Sequence, residues 1–85
     1  MKFKLLIEIV SSLDKVDLIE VGGRLLEGHL EPGSIGYVET ENGKIQLRVI
    51  DVAFLRPSVP GKIALSVKKP DCYVESLIGK IFFSD

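Results

Sequence analysis

Alternation with a period of two, cut repeatedly by turn signals, is the feature that most limits what this chain can fold into. In Phe3–Val10 the apolar residues fall at 3, 5, 7 and 9, with Lys4 and Glu8 opposite, which marks a strand with one buried face. Ile35–Thr40 is a second such strand, and Asn42-Gly43 after it is the strongest short-range signal for a tight hairpin. Lys44–Leu55 is the longest strand. There Ile45, Leu47 and Val49 share one face, but Val52 and Phe54 carry the apolar side afterwards, so the spacing predicts a bulge near Ile50-Asp51 that turns the strand around a barrel corner. Ile63, Leu65 and Val67 mark a further strand over Lys62–Lys68, and Lys80–Phe83 closes the chain as another.

The remaining stretches are less regular. Ser11–Asp14 has turn chemistry, Asp14–Val21 suits either a strand or a short helix, and Gly22-Gly23 is expected to break or kink the chain. Arg24–Leu30 reads as a strand with Gly28 inside it, where a missing side chain suggests a bulge or a close backbone approach. Glu31-Pro32-Gly33-Ser34 is a turn and Arg56–Gly61 a loop; Val74–Ile78 fits a short helical turn before Gly79. Gly28, Gly33, Gly43, Gly61 and Gly79 are best explained by backbone geometry at turns. No long amphipathic helix is encoded. These signals predict one all-β domain over residues 1–85, a small closed β-barrel of six to seven strands, because closure removes exposed edges. Leu6, Val10, Leu25, Leu26 and Phe83 are the apolar residues expected to face outward.

Composition narrows the partners. The formal charge is −1, with eight Asp/Glu against four Lys/Arg in residues 1–42 and seven Lys/Arg against four Asp/Glu in residues 43–85. Non-specific nucleic-acid binders are usually more basic, so this balance permits a local basic patch only. The single cysteine, Cys72, allows no internal disulfide and no cysteine-based zinc site. A cytoplasmic location is the default for such a chain, and no apolar run is long enough to span a bilayer.

From Val21 onward the order of signals resembles the second domain of translational GTPases, the β-barrel of the elongation factor Tu and initiation factor type. The stretch Gly22-Gly23-Arg24-Leu25-Leu26-Glu27-Gly28-His29-Leu30-Glu31-Pro32-Gly33 is similar to that family's glycine-rich strand and turn. Gln46–Phe54 matches its long strand, Pro60–Val67 its proline-glycine strand opening, and Val74–Phe82 its acidic-apolar turn and closing strand. The resemblance implies a Greek-key barrel that contacts RNA or a ribosome-associated complex. It departs from the family at His29, where a basic residue is usual, and in the short segment Ser34-Ile35-Gly36-Tyr37. No G-x-x-x-x-G-K-[ST] occurs, so no loop of that kind cradles nucleotide phosphates, and no nucleotide is expected as a ligand.

For chemistry, the residues offer little. His29 has no partner set for catalysis or metal binding and reads as an ordinary strand residue. Cys72 reads as a structural cysteine, and Asp14, Asp17 and Glu20 as a solvated acidic edge lacking calcium-loop spacing. No catalytic residue, cofactor or metal is therefore expected, and the chain reads as a binding module and not an enzyme. Arg48, Arg56, Lys62, Lys68 and Lys69, with Tyr73 or Phe54 for stacking, are the candidate RNA- or partner-binding residues, expected to gather on one rim. The plainer alternative is a solubilising surface with lysines guarding strand edges. A second function class also stands: a protein-interaction module that forms a homodimer or docks on a larger partner through its outward apolar residues.

Overall fold

Six strands form, β1 (Phe3–Ser12), β2 (Leu18–Gly28), β3 (Ile35–Thr40), β4 (Gly43–Phe54), β5 (Lys62–Lys68) and β6 (Ile81–Phe83), with a 3₁₀ turn at Val74–Leu77 before the last. The computed structural model describes residues 2–12, 17–41, 43–54, 61–70 and 74–84. The strands close into a barrel in the order β1-β2-β5-β4-β3-β6, each neighbouring pair antiparallel. Strands β3, β4 and β5 form a meander and β6 returns beside β3, which is the spatial order of a Greek key. The fold is thus the small all-β barrel that the alternation predicts. No helix among the described residues is long and apolar enough to cross a membrane.

Three bulges among the described residues shape it. Ile50 has no partner in the β4–β5 ladder, between Val49↔Val67 and Asp51↔Ser66, which is where the shift of apolar side predicts one. Val49 is buried before the bulge, and Val52 packs against the core after it. A second bulge at Glu8 overturns part of the β1 reading. Because Glu8 is skipped between Ile7↔Gly23 and Ile9↔Gly22, the phase flips there. Ile9, expected to be buried, is 60% exposed, and Val10, expected outside, packs against the core. The third bulge leaves Leu26 unpaired between Lys4↔Glu27 and Leu5↔Leu25, so Leu26 faces solvent and Leu25 leans inward against expectation.

Gly22-Gly23 does not break the chain. Both glycines lie inside β2, paired to β1 on one side and to Ala64 and Ile63 of β5 on the other. Close strand approach requires the second of them: a Cβ on Gly23 would sit 2.0 Å from the Leu6 carbonyl oxygen. Nor does Ser11–Asp14 begin a turn at Ser11, since β1 runs on through Ser12. Gly28 ends β2 with φ +82 rather than lying inside a strand. At Gly33 the turn forms as expected, with φ +92 and the Ser34 N–H donating to the Glu31 carbonyl at 3.0 Å.

The interior is filled with side chains. Leu5, Ile7, Val21, Val38, Leu47, Val49, Leu65 and Val67 point inward from the strands and are almost fully buried. Leu30 and Leu77 enter from the connections, Leu77 from the 3₁₀ turn. Among the described residues no polar side chain is buried. Strand β6 closes the wall with only three residues, so its register is reinforced nearby. The Phe3 N–H donates to Ser84 Oγ at 2.7 Å, the Ser84 N–H to the Phe3 carbonyl at 3.1 Å, and the Gly79 N–H to the Ile7 carbonyl at 2.8 Å. Phe82 meets Phe3 edge-on with ring centroids 5.0 Å apart. Gly36 makes that possible, because a Cβ there would lie 2.7 Å from both rings.

Candidate nucleic-acid interface

On β3, Gly36 and Val38 face the core, which turns Ile35, Tyr37 and Glu39 outward. On β4, Leu47 and Val49 face the core, which turns Lys44, Gln46 and Arg48 outward. The register places these sets directly opposite one another: Ile35↔Arg48, Tyr37↔Gln46 and Glu39↔Lys44. On the other side Tyr37 is opposite Phe83 of β6, and Phe83 is opposite Lys4 of β1. A row of Lys4, Phe83, Tyr37 and Gln46 therefore crosses the outer wall.

The two rings of that row are 6.4 Å apart and tilted by 47°. The Lys44 ammonium lies 5.3 Å from the Tyr37 centroid and 5.5 Å from that of Phe83, within cation–π range of both. Lys4 reaches Glu27 at 3.8 Å in an exposed pair. Half-buried rings with cations beside them form a surface on which flat groups can stack.

Beside Tyr37 and Gln46 lies a groove of about 530 Å³, with Phe3 and Ile35 as its apolar lining and His29 and Glu31 on its rim. The rim is held firmly. Gly33 N–H donates to the Val49 carbonyl at 2.8 Å and Val49 N–H to the Ser34 carbonyl at 2.9 Å, which fastens the turn to β4. The Glu31 N–H donates to Ser34 Oγ at 3.1 Å.

Of the basic residues read from the sequence, Arg48, Lys68 and Lys69 fall near one another and Lys62 lies apart. Arg48 lies on the aromatic wall described above. One step beyond the Val49↔Val67 pair, Lys68 lies beside it on β5, opposite Leu18 of β2. The Lys69 N–H donates to the Asp17 carbonyl at 3.0 Å, so it stays near that end. Lys62 sits at the opposite end of β5, a strand length of ~20 Å away, where it is paired with Glu8. Carboxylates dilute the rest: Glu20 and Asp51 both lie opposite Ser66, one row from Lys68. Arg56 and Tyr73 are outside the described residues, as are Cys72 and the side chain of Phe54.

The sequence reading leaves out Tyr37, Lys44 and Gln46 and offers Phe83 only as an outward apolar residue. The alternation in Ile35–Thr40 does put Tyr37 on the side away from Val38, so that residue was within reach. Nothing local places Phe83 next to it, because that depends on β6 returning beside β3.

No protein-family model matches the chain, and comparison with curated proteins and with solved structures gives no match either. Among the described residues no group of three His, Cys, Asp or Glu is arranged to hold a metal ion.

Proposed function

We propose that this barrel is a non-enzymatic cytoplasmic module that binds single-stranded RNA across the β6-β3-β4 wall. The observation that carries the reading is the Tyr37–Phe83 pair flanked by Lys44, Gln46 and Arg48. Bases stack on such rings whatever their sequence, while Lys44 and Arg48 meet the phosphates. Base stacking displaces Lys44 from the rings, at a cost of about 0.5–1 kcal/mol, and each stacked base returns about 1–3 kcal/mol. The resemblance to the RNA-contacting barrel of translational GTPases supports the same reading.

The wall is only weakly basic, since Glu39 opposes Lys44 and Glu27 pairs with Lys4. Stacking rather than charge then dominates, and the salt slope is shallow, about −1.4 for two single-strand phosphate contacts. The protein-interaction alternative has less behind it. Of the residues assigned to it, Val10 and Leu25 pack against the core and Leu26 is exposed, while the other large exposed apolar residues among those described are Ile9, Ile35, Ile50 and Ile78.

Fluorescence anisotropy with a labelled single-stranded RNA of about ten nucleotides, sized to the site of a small barrel, tests the proposal. Tyr37→Ala is expected to weaken binding about 5- to 150-fold and Tyr37→Phe to leave it nearly unchanged, since the ring and not its hydroxyl stacks. Absence of binding by the unaltered protein at low salt would sink the reading. Binding indifferent to Tyr37→Ala would move the site off this wall.

A further inference from the structure

We infer that the groove beside Tyr37 holds one unpaired nucleobase that carries an exocyclic amino group, so that the module prefers cytosine over uracil. This rests on the RNA reading above and adds a chemical preference to it. The groove adjoins the stacking row, because Tyr37 and Gln46 line it and also belong to that row. Its volume of about 530 Å³ lies within the usual range for small-molecule sites.

The polar groups around the groove decide what it accepts. Glu31 contributes a carboxylate, which in its ionised form only accepts hydrogen bonds. Gln46, Ser34, Ser84 and His29 contribute groups that can both donate and accept and so serve either base, which leaves Glu31 as the group that discriminates. No lysine or arginine lines the groove, so a phosphate entering it would face Glu31 with only His29 to set against it. Phosphates are left to Lys44 and Arg48 on the open wall, and the groove is left to a base. A carboxylate accepts from the N4 amino group of cytosine. Uracil presents a carbonyl oxygen at that position, which would meet the carboxylate acceptor to acceptor. The turn tied to β4 fixes the backbone of Glu31 beside the groove, so only its side chain has to be ordered on binding.

Cytosine and uracil have the same ring size, which makes them the cleanest comparison. Oligocytidylate and oligouridylate of equal length are titrated against the unaltered protein and against Glu31→Gln. Glu31 is exposed on its turn and its backbone contacts are kept, so the variant folds. The expected result is about tenfold tighter binding of oligocytidylate, in the lower range for a base-edge contact, and near-equal binding of both by Glu31→Gln. Equal binding of both oligomers by the unaltered protein, or a preference that survives Glu31→Gln, overturns the inference while leaving RNA binding standing. Failure of both oligomers to bind removes the inference and the RNA reading together.

Discussion

Gly22 and Gly23 are adjacent in β2, yet a methyl group on each should have opposite consequences. At Gly22 the new Cβ would lie 2.7 Å from Ile9 Cγ2, the branch methyl of a side chain that is 60% exposed. A turn of about 30° in the stiff χ1 of Ile9 relieves the contact at about 0.5–1.5 kcal/mol, because solvent and not backbone lies beyond it. The lost flexibility of the unfolded chain offsets about 0.4–1 kcal/mol of that, so Gly22→Ala is close to neutral. At Gly23 the Cβ would lie 2.0 Å from the Leu6 carbonyl oxygen and 3.3 Å from the Ile7 Cα. Those are backbone atoms of the paired strand, beside the Glu8 bulge, and no rotamer relieves them. Strand β1 must move by more than 1 Å to restore ordinary contact, which belongs at the upper end of overpacking costs, about 3 kcal/mol. For a domain of this size that corresponds to a fall in Tm of roughly 12–24 °C. Thermal and urea unfolding followed by circular dichroism would measure both variants. Equal loss in the two, or a larger loss for Gly22→Ala, would refute the argument that close strand approach is why Gly23 is required.

Further consequences follow from the same geometry. Leu77→Ala removes a fully buried side chain supplied by the 3₁₀ turn and should cost about 2–5 kcal/mol in urea unfolding. Gly28→Ala should destabilise more than Gly33→Ala: both have positive φ, but only at Gly28 would the Cβ strike a neighbour, the Lys2 carbonyl oxygen at 1.9 Å. The second variant should lose about 1–2 kcal/mol, measured in the same assay. A double-mutant cycle over Lys62 and Glu8 should give a coupling of about 1 kcal/mol or less, since both side chains remain partly solvated. Lys44→Ala should lower the salt slope of RNA binding by about 0.7 while weakening affinity less than Tyr37→Ala, because losing the ammonium also uncovers the rings.

Much of the barrel was legible because its strands carry clean alternation. Ile35–Thr40 and Lys62–Lys68 have the bounds that the period predicts, and the change of apolar side in Lys44–Leu55 located the Ile50 bulge. The Glu8 bulge was hidden by Ile9. An exposed isoleucine continued the alternation through the phase change, so the pattern looked unbroken. Gly22-Gly23 misled for a related reason: glycine signals flexibility locally, but here it answers to the neighbouring strand. The candidate site was mostly illegible. Charge counting selected lysines that lie at opposite ends of β5, whereas the aromatic pair depends on β6 and β3 meeting around the closed wall. Arg48 is the one residue common to both readings.

The most direct test is to map where RNA touches the barrel. Two-dimensional NMR of the labelled protein, titrated with a short single-stranded RNA, follows each backbone amide separately. The account predicts that the largest shifts cluster at Tyr37, Gln46, Arg48 and Phe83, with Ile9, Leu26 and Lys62 unmoved. Shifts centred on Lys68 and Lys69, or no shifts at low salt, would contradict it.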